Sequence, residues 1–183
     1  MANFSFLEDK PEFSDFAKKC VDAEEAFQNS PDACIKLVRN AFDAAIKWLY
    51  SKDKKFVKVN NPQTNEKESL LALTTTPTFK NAVGKKLLNE IHFCRKAGNQ
   101  ALHNEKNFTN DDALNCLRYL FDFVQWIDEH YGKNFKSRSF DPEEVPVKDS
   151  TLKKVLKGAG LVAGGAVLGV GALLMLAGGN EKK

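Results

Sequence analysis

The sequence lacks the cysteine and histidine patterns of a disulfide framework or a zinc site. Its cysteines (Cys20, Cys34, Cys94 and Cys116) are widely spaced, with no CxxC pair and no histidine at ligand spacing. Each lies among apolar residues of a predicted helix, where a thiol behaves as a small buried hydrophobe. This usage is typical of the cytosol, and we expect no metal and no other cofactor.

Other signals are also missing. The N-terminal stretch MANFSFLEDKPEF has neither a basic start nor an apolar run, so the sequence predicts no secretory signal. No Walker motif, glycine-rich dinucleotide loop, nucleophile elbow or HExxH motif occurs. The net charge of +3 is too small to indicate a nucleic-acid binder from whole-chain electrostatics. No stretch alternates apolar and polar residues as a half-buried strand would.

What the sequence does contain is helical periodicity over residues 1–132. Hydroxyl residues before the second, third and fourth main helices predict their starts: Ser30 and Thr76 each precede a proline, and Thr109 forms a capping box with Asp112. The predicted main helices cover residues 11–29, 30–50, 76–95 and 109–132, with a short helix at 69–73. Gly98 and Asn99 are expected to interrupt the third, because they tolerate left-handed backbone. The fold class is therefore an all-α bundle.

Beyond the bundle, residues 133–150 predict a charged linker, residues 151–179 a glycine-rich transmembrane helix, and residues 180–183 a short tail. The 22 residues 158–179 carry no charge and are flanked by lysines, and about 20 residues suffice to cross a bilayer. A flexible or amphipathic tail is the alternative, but the segment has no polar face to leave in water. We expect a single-pass tail anchor with the helical domain in the cytoplasm.

Glycines within this segment are spaced for helix packing. Gly160 and Gly164 are four residues apart, as are Gly165 and Gly169. Small residues at this spacing let two transmembrane helices approach closely. The sequence therefore predicts that the bilayer is one partner of the chain and that a second copy is another.

The most unusual stretch of the bundle is residues 92–103, where Arg95, Gly98, Asn99 and His103 lie close together in sequence. The pattern Arg95-x-x-Gly98-Asn99-x-x-x-His103 resembles the signature of domain-of-unknown-function family 4145. An earlier frame also resembles it: Phe4-x-Phe6-Leu7, Pro11, Ala23-Glu24, Ser30-Pro31-Asp32-Ala33 and Arg39. Asp43 departs from it, since glutamate is more common four residues after this arginine.

This resemblance implies a helical module that occurs alone or beside the motor-nuclease subunit of type I restriction enzymes, and hence a role in genome defence. The family is in turn similar to the HEPN superfamily, many of whose members are metal-independent ribonucleases acting as dimers through an arginine and a histidine. In that interpretation His103 would act as general acid or base and Arg95 would stabilise phosphate charge. Seven residues separate them here, more than the four to six of that pattern.

Structural roles are the alternative for the same residues. Arg95 could pair with an acid such as Asp43, Asn99 could cap the helix break, and His103 could bond a backbone carbonyl. We therefore expect a membrane-tethered, non-enzymatic module that binds protein or nucleic acid (RNA or DNA). A dimeric ribonuclease and a membrane-permeabilising effector are the other hypotheses. Lys52, Lys54, Lys55 and Lys58 could contact phosphate but are expected to be solvated, and Trp48, Tyr50, Tyr119 and Trp126 have core spacing.

Overall fold

The computed structural model describes residues 2–59, 68–103 and 107–148. Five α-helices account for most of them: α1 (Ser14–Ala26), α2 (Pro31–Lys52), α3 (Leu70–Thr75), α4 (Pro77–Leu102) and α5 (Asn110–Tyr131). Short 3-10 helices cover Ser5–Asp9, Pro11–Phe13 and Pro142–Glu144. The described residues contain no strand. The predicted all-α bundle with a short fifth helix is confirmed.

The starts of three helices follow directly from local sequence. The Ser30 hydroxyl accepts a bond from the Ala33 amide at 3.0 Å, and Thr76 does the same for the Phe79 amide at 3.3 Å. Thr109 and Asp112 form the reciprocal capping box, with bonds of 3.2 and 2.9 Å. These bonds satisfy amide groups that have no partner inside the helix, so the predicted helix starts are confirmed.

The core is organised around α2, which packs against α1, α4 and α5. Most of the apolar residues of α2 are buried, and Phe42 packs against Phe123 of α5 with ring centroids 5.6 Å apart. All four cysteines are buried free thiols. Their burial agrees with the expectation that they act as small core residues.

Helix α4 does not break where the sequence suggested. It continues through Gly98 and Asn99 to Leu102, so the predicted interruption after Arg95 is wrong. Its one kink lies at Gly84, which has a φ of 74°. Glycine reaches this conformation without the Cβ penalty of other residues. The helix that carries the candidate residues is therefore continuous from Gly84 to its end.

Residues 133–148, which we call the C-terminal strap, pack on the bundle although the sequence predicted a charged linker. Arg138 Nη1 lies 3.5 Å from the fully buried Asp128 carboxylate. Asn3 and Asp141 exchange two bonds of 2.9 and 2.7 Å, and Val145 is only 2% exposed. The packed helical domain therefore extends to residue 148.

The N-terminal segment is attached to α5 by a buried ion pair. The Lys10 ammonium contacts the Asp128 carboxylate and also donates to the Lys133 carbonyl at 2.9 Å. Both side chains are at least nine-tenths buried. Because buried charges are stable only when they are paired, this contact fixes the first residues of the chain and the start of the strap on the same helix.

The predicted transmembrane segment and its glycine pairs lie outside the described residues. Within the part of the chain that the structure describes, no helix is long and apolar enough to cross a membrane.

Candidate anion-binding site

Arg39 of α2 reaches across to α4 in the middle of the stretch singled out by sequence. Its Nε donates a hydrogen bond to Asn99 Oδ1 at 2.7 Å, joining residues 60 positions apart. Its aliphatic stem lies against Gly98. A Cβ at Gly98 would lie 2.5 Å from Arg39 Cβ and 2.7 Å from Arg39 Cδ, closer than real atoms approach. The glycine therefore serves close helix packing, and Asn99 holds the guanidinium instead of capping a helix end.

Arg95 lies on α4 one turn before Asn99 and is half-buried. Its Nε atom is covered by protein and has no hydrogen-bond partner. Burial lowers the pKa of Arg95, and the positive charge of Arg39 lowers it further. Arg39 bonds Asn99, which lies one turn after Arg95 on α4, so two like charges lie near each other, which is costly for groups withdrawn from water.

No carboxylate compensates this pair among the described residues. The predicted pairing of Arg95 with Asp43 does not occur, because Asp43 bonds Lys47 of its own helix at 2.7 Å. Neither Arg39 nor Arg95 has an Asp or Glu oxygen within 4.0 Å in the ranges 2–59, 68–103 and 107–148. The two guanidinium groups thus present two positive charges without a described counter-ion.

His92 lies close to the same positive charges. It lies one turn before Arg95 on α4 and is half-buried. Burial lowers the pKa of His92, as do the charges of Arg95, Lys80 and Lys96. Both causes favour the neutral form of the imidazole, and the positive charge around it comes from Arg95 and the two lysines.

His103, the other residue of the predicted ribonuclease pair, is the C-cap of α4 and its side chain is exposed. Its amide donates to the Asn99 carbonyl at 3.2 Å, a bond of the helical backbone. Arg95 and His103 are eight positions apart on one continuous helix, which separates their Cα atoms by about 12 Å along the axis. The structure therefore brings Arg39, Arg95 and Asn99 together, and places His103 one turn beyond Asn99 at the end of the helix.

Other sequence candidates have structural roles. Lys55 pairs with Asp53 at 2.9 Å and Lys58 with Glu68 at 2.6 Å. Trp48 donates its indole N–H to the Glu12 carbonyl at 3.0 Å and is buried, like Tyr50. The described side chains include no group of three His, Cys, Asp or Glu that could hold a metal ion.

A family model matches the part of the sequence that contains these residues. The match covers residues 21–154 and bears the description Domain of unknown function (DUF4145). The chain belongs to this family. The DUF4145 match includes Arg39, Arg95, Gly98, Asn99 and His103, so the resemblance drawn from those residues is confirmed at the level of the family. No curated protein and no solved structure shows a significant match.

Proposed function

We propose that this chain is a membrane-tethered, non-enzymatic helical module that binds nucleic acid through the face formed by α2 and α4. The observation that carries the proposal is the pair of neighbouring arginines, Arg39 and Arg95, without a described carboxylate partner. Guanidinium groups are well suited to phosphate, since they are always charged and present a planar set of donors. Phosphate contacts also supply most of the affinity of a nucleic-acid binder.

The rigidity of the site supports binding. Arg39 is held by Asn99 at 2.7 Å and by the backbone surface at Gly98, so its guanidinium is ordered before any ligand arrives. Arg95 is half-buried on the same continuous helix. A preorganised site loses less conformational entropy on binding than two freely rotating surface side chains would.

The non-enzymatic part of the proposal rests on the position of His103. Seven residues lie between it and Arg95, more than the four to six of the arginine–histidine pattern of the related ribonucleases. The membrane tether rests on the uncharged residues 158–179, and the resemblance to restriction-associated modules supports genome defence as the setting.

Binding of a fluorescent RNA or DNA 20-mer by the full-length chain in mild detergent tests this function. We expect the binding affinity to fall by about tenfold or more between about 50 and about 200 mM salt, because a few phosphates are contacted. Arg95→Gln should weaken binding, whereas Arg118→Gln, the same change at an exposed arginine of α5, should not.

Two results would contradict the proposal. Failure of the wild-type chain to bind any oligonucleotide at low salt would remove nucleic acid as the partner. Metal-independent RNA cleavage that disappears in a His103→Ala variant of normal melting temperature would instead favour the dimeric ribonuclease.

A further inference from the structure

Arg39 and Arg95 lie near each other without a described counter-ion, and the chemistry of the pair indicates which kind of phosphate it binds. We infer that Arg39 and Arg95 together bind a single phosphate monoester, the group found at the end of a nucleic-acid strand or on a mononucleotide. This inference rests on the proposed function, because it assigns a ligand to the same site. It differs from that function in requiring a terminal phosphate and not the backbone of a strand.

Charge is the first argument. The pair carries two positive charges, and no described carboxylate lies within 4.0 Å of either guanidinium. A phosphodiester of the backbone brings one negative charge, whereas a phosphate monoester brings about 1.5 to 2 at neutral pH. In a half-buried site the monoester leaves the least uncompensated charge.

The available donors are the second argument. Arg39 uses its Nε for Asn99, and Arg95 Nε is covered by protein, so each guanidinium can offer a ligand only its two Nη groups. A terminal phosphate presents three unesterified oxygens to these four nitrogens, whereas a backbone phosphate presents two. The monoester therefore satisfies more of the donors that remain.

The surroundings of the pair are the third argument. On α2, Asp43 lies one turn beyond Arg39, and Asp32 lies two turns before it on the same face. A nucleic-acid backbone running along α2 would bring its phosphates towards these carboxylates. Since Lys36 and Lys47 also lie on α2, positive and negative side chains are interspersed along this helix and form no continuous positive track for several phosphates.

One isosteric substitution separates ligand binding from folding. Asn99→Asp keeps an oxygen for the Arg39 Nε and adds a negative charge beside the guanidinium. The variant should fold about as well as the wild type, because the ion pair formed from the existing 2.7 Å bond offsets the unfavourable negative charge in the last turn of α4. The phosphate should then bind more weakly, because the charge of Arg39 is already neutralised by the new carboxylate.

Asn89→Asp is the matched control. It makes the same change on α4 at an exposed residue ten positions earlier. That distance is about 15 Å along the helix, beyond the screening length of about 8–10 Å in physiological salt. A general effect of added negative charge would therefore appear in both variants, and loss of the site only in Asn99→Asp.

The experiment measures binding of the full-length chain, in mild detergent, to a 3′-labelled RNA 10-mer with either a 5′-phosphate or a 5′-hydroxyl. Unlabelled AMP and inorganic phosphate serve as competitors. We expect the 5′-phosphate to strengthen binding by about 10- to 100-fold, the equivalent of one hydrogen bond to a charged group. The preference should vanish in Asn99→Asp and persist in Asn89→Asp.

The outcomes distinguish this inference from the proposed function. Equal binding of both 10-mers would overturn the monoester and leave nucleic-acid binding standing. Competition by AMP at the affinity of the phosphorylated 10-mer would support the monoester and identify a nucleotide as its source, against the proposed function. Absence of binding to every probe would overturn both.

Discussion

Replacing Gly98 with alanine should destabilise the protein, although the same change inside an ordinary helix does the opposite. Alanine is favoured over glycine in a helix interior by about 1 kcal/mol. In this fold, however, the new methyl group would lie 2.5 Å from Arg39 Cβ. That atom is fixed to the backbone of α2 and cannot rotate away, so the two helices would have to separate.

The expected magnitude follows from two costs set against that gain. Overpacking of this kind costs about 1–3 kcal/mol. Weakening the Arg39–Asn99 hydrogen bond adds a further cost, which is at most the roughly 1.5–3 kcal/mol that a bond to a charged group contributes. After subtracting the gain in helix propensity, we expect a net loss of about 2–3 kcal/mol in the free energy of unfolding. For a chain of this size that corresponds to a melting temperature lower by about 4–12 °C.

Thermal unfolding of the full-length chain, followed by circular dichroism at 222 nm, measures this loss. Asn89→Ala at an exposed position of α4 is the control, and it should melt at or slightly above the wild-type temperature. If Gly98→Ala melted as high as the wild type or higher, the close approach of Arg39 to α4 would not exist as described.

Three further predictions concern other parts of the chain. Lys10→Met should leave the buried Asp128 carboxylate without its main partner and lower the free energy of unfolding by about 3–5 kcal/mol. The control Lys18→Met, at a side chain that is 82% exposed, should change the melting temperature little. Equal melting temperatures of the two variants would contradict the buried pair. Arg95→Gln should raise the pKa of His92, because one of the positive charges that lower it is removed; an NMR titration of the imidazole that shows an unchanged or lower pKa would separate the two residues. Full-length protein should sediment with membranes and resist carbonate extraction, and a chain ending at Lys148 should stay in the supernatant; full-length protein in the supernatant would refute the tether.

The sequence correctly predicted those structural features that depend on residues close together along the chain. Ser30, Thr76 and Thr109 each cap a helix by bonding an amide three positions later, so their signals are contained in a few letters. The number of helices and the burial of the cysteines follow from periodicity in the same way. All of these predictions are confirmed.

Predictions from the sequence were wrong where the local structure depends on a contact with a residue far along the chain. Glycine indicates either a helix end or a close approach of two elements, and only the position of Arg39, 59 residues earlier, shows that Gly98 serves the second purpose. The kink at Gly84 was missed because apolar periodicity continues across it. The strap has the composition of a linker, and its contacts through Arg138 and Val145 depend on surfaces formed by the folded bundle.

The central claim is that Arg39 and Arg95 form one site for a phosphate. The most direct measurement is a ¹⁵N–¹H NMR spectrum of the arginine Nε–H groups, recorded while a 5′-phosphorylated oligonucleotide is added to the full-length chain. The chain has four arginines, and Arg118 and Arg138, which bond Asn115 and Asp128, serve as internal controls. The signals of Arg39 and Arg95 should move together and saturate while those of the controls stay in place. Equal shifts of all four signals, or movement of the controls alone, would contradict the claim.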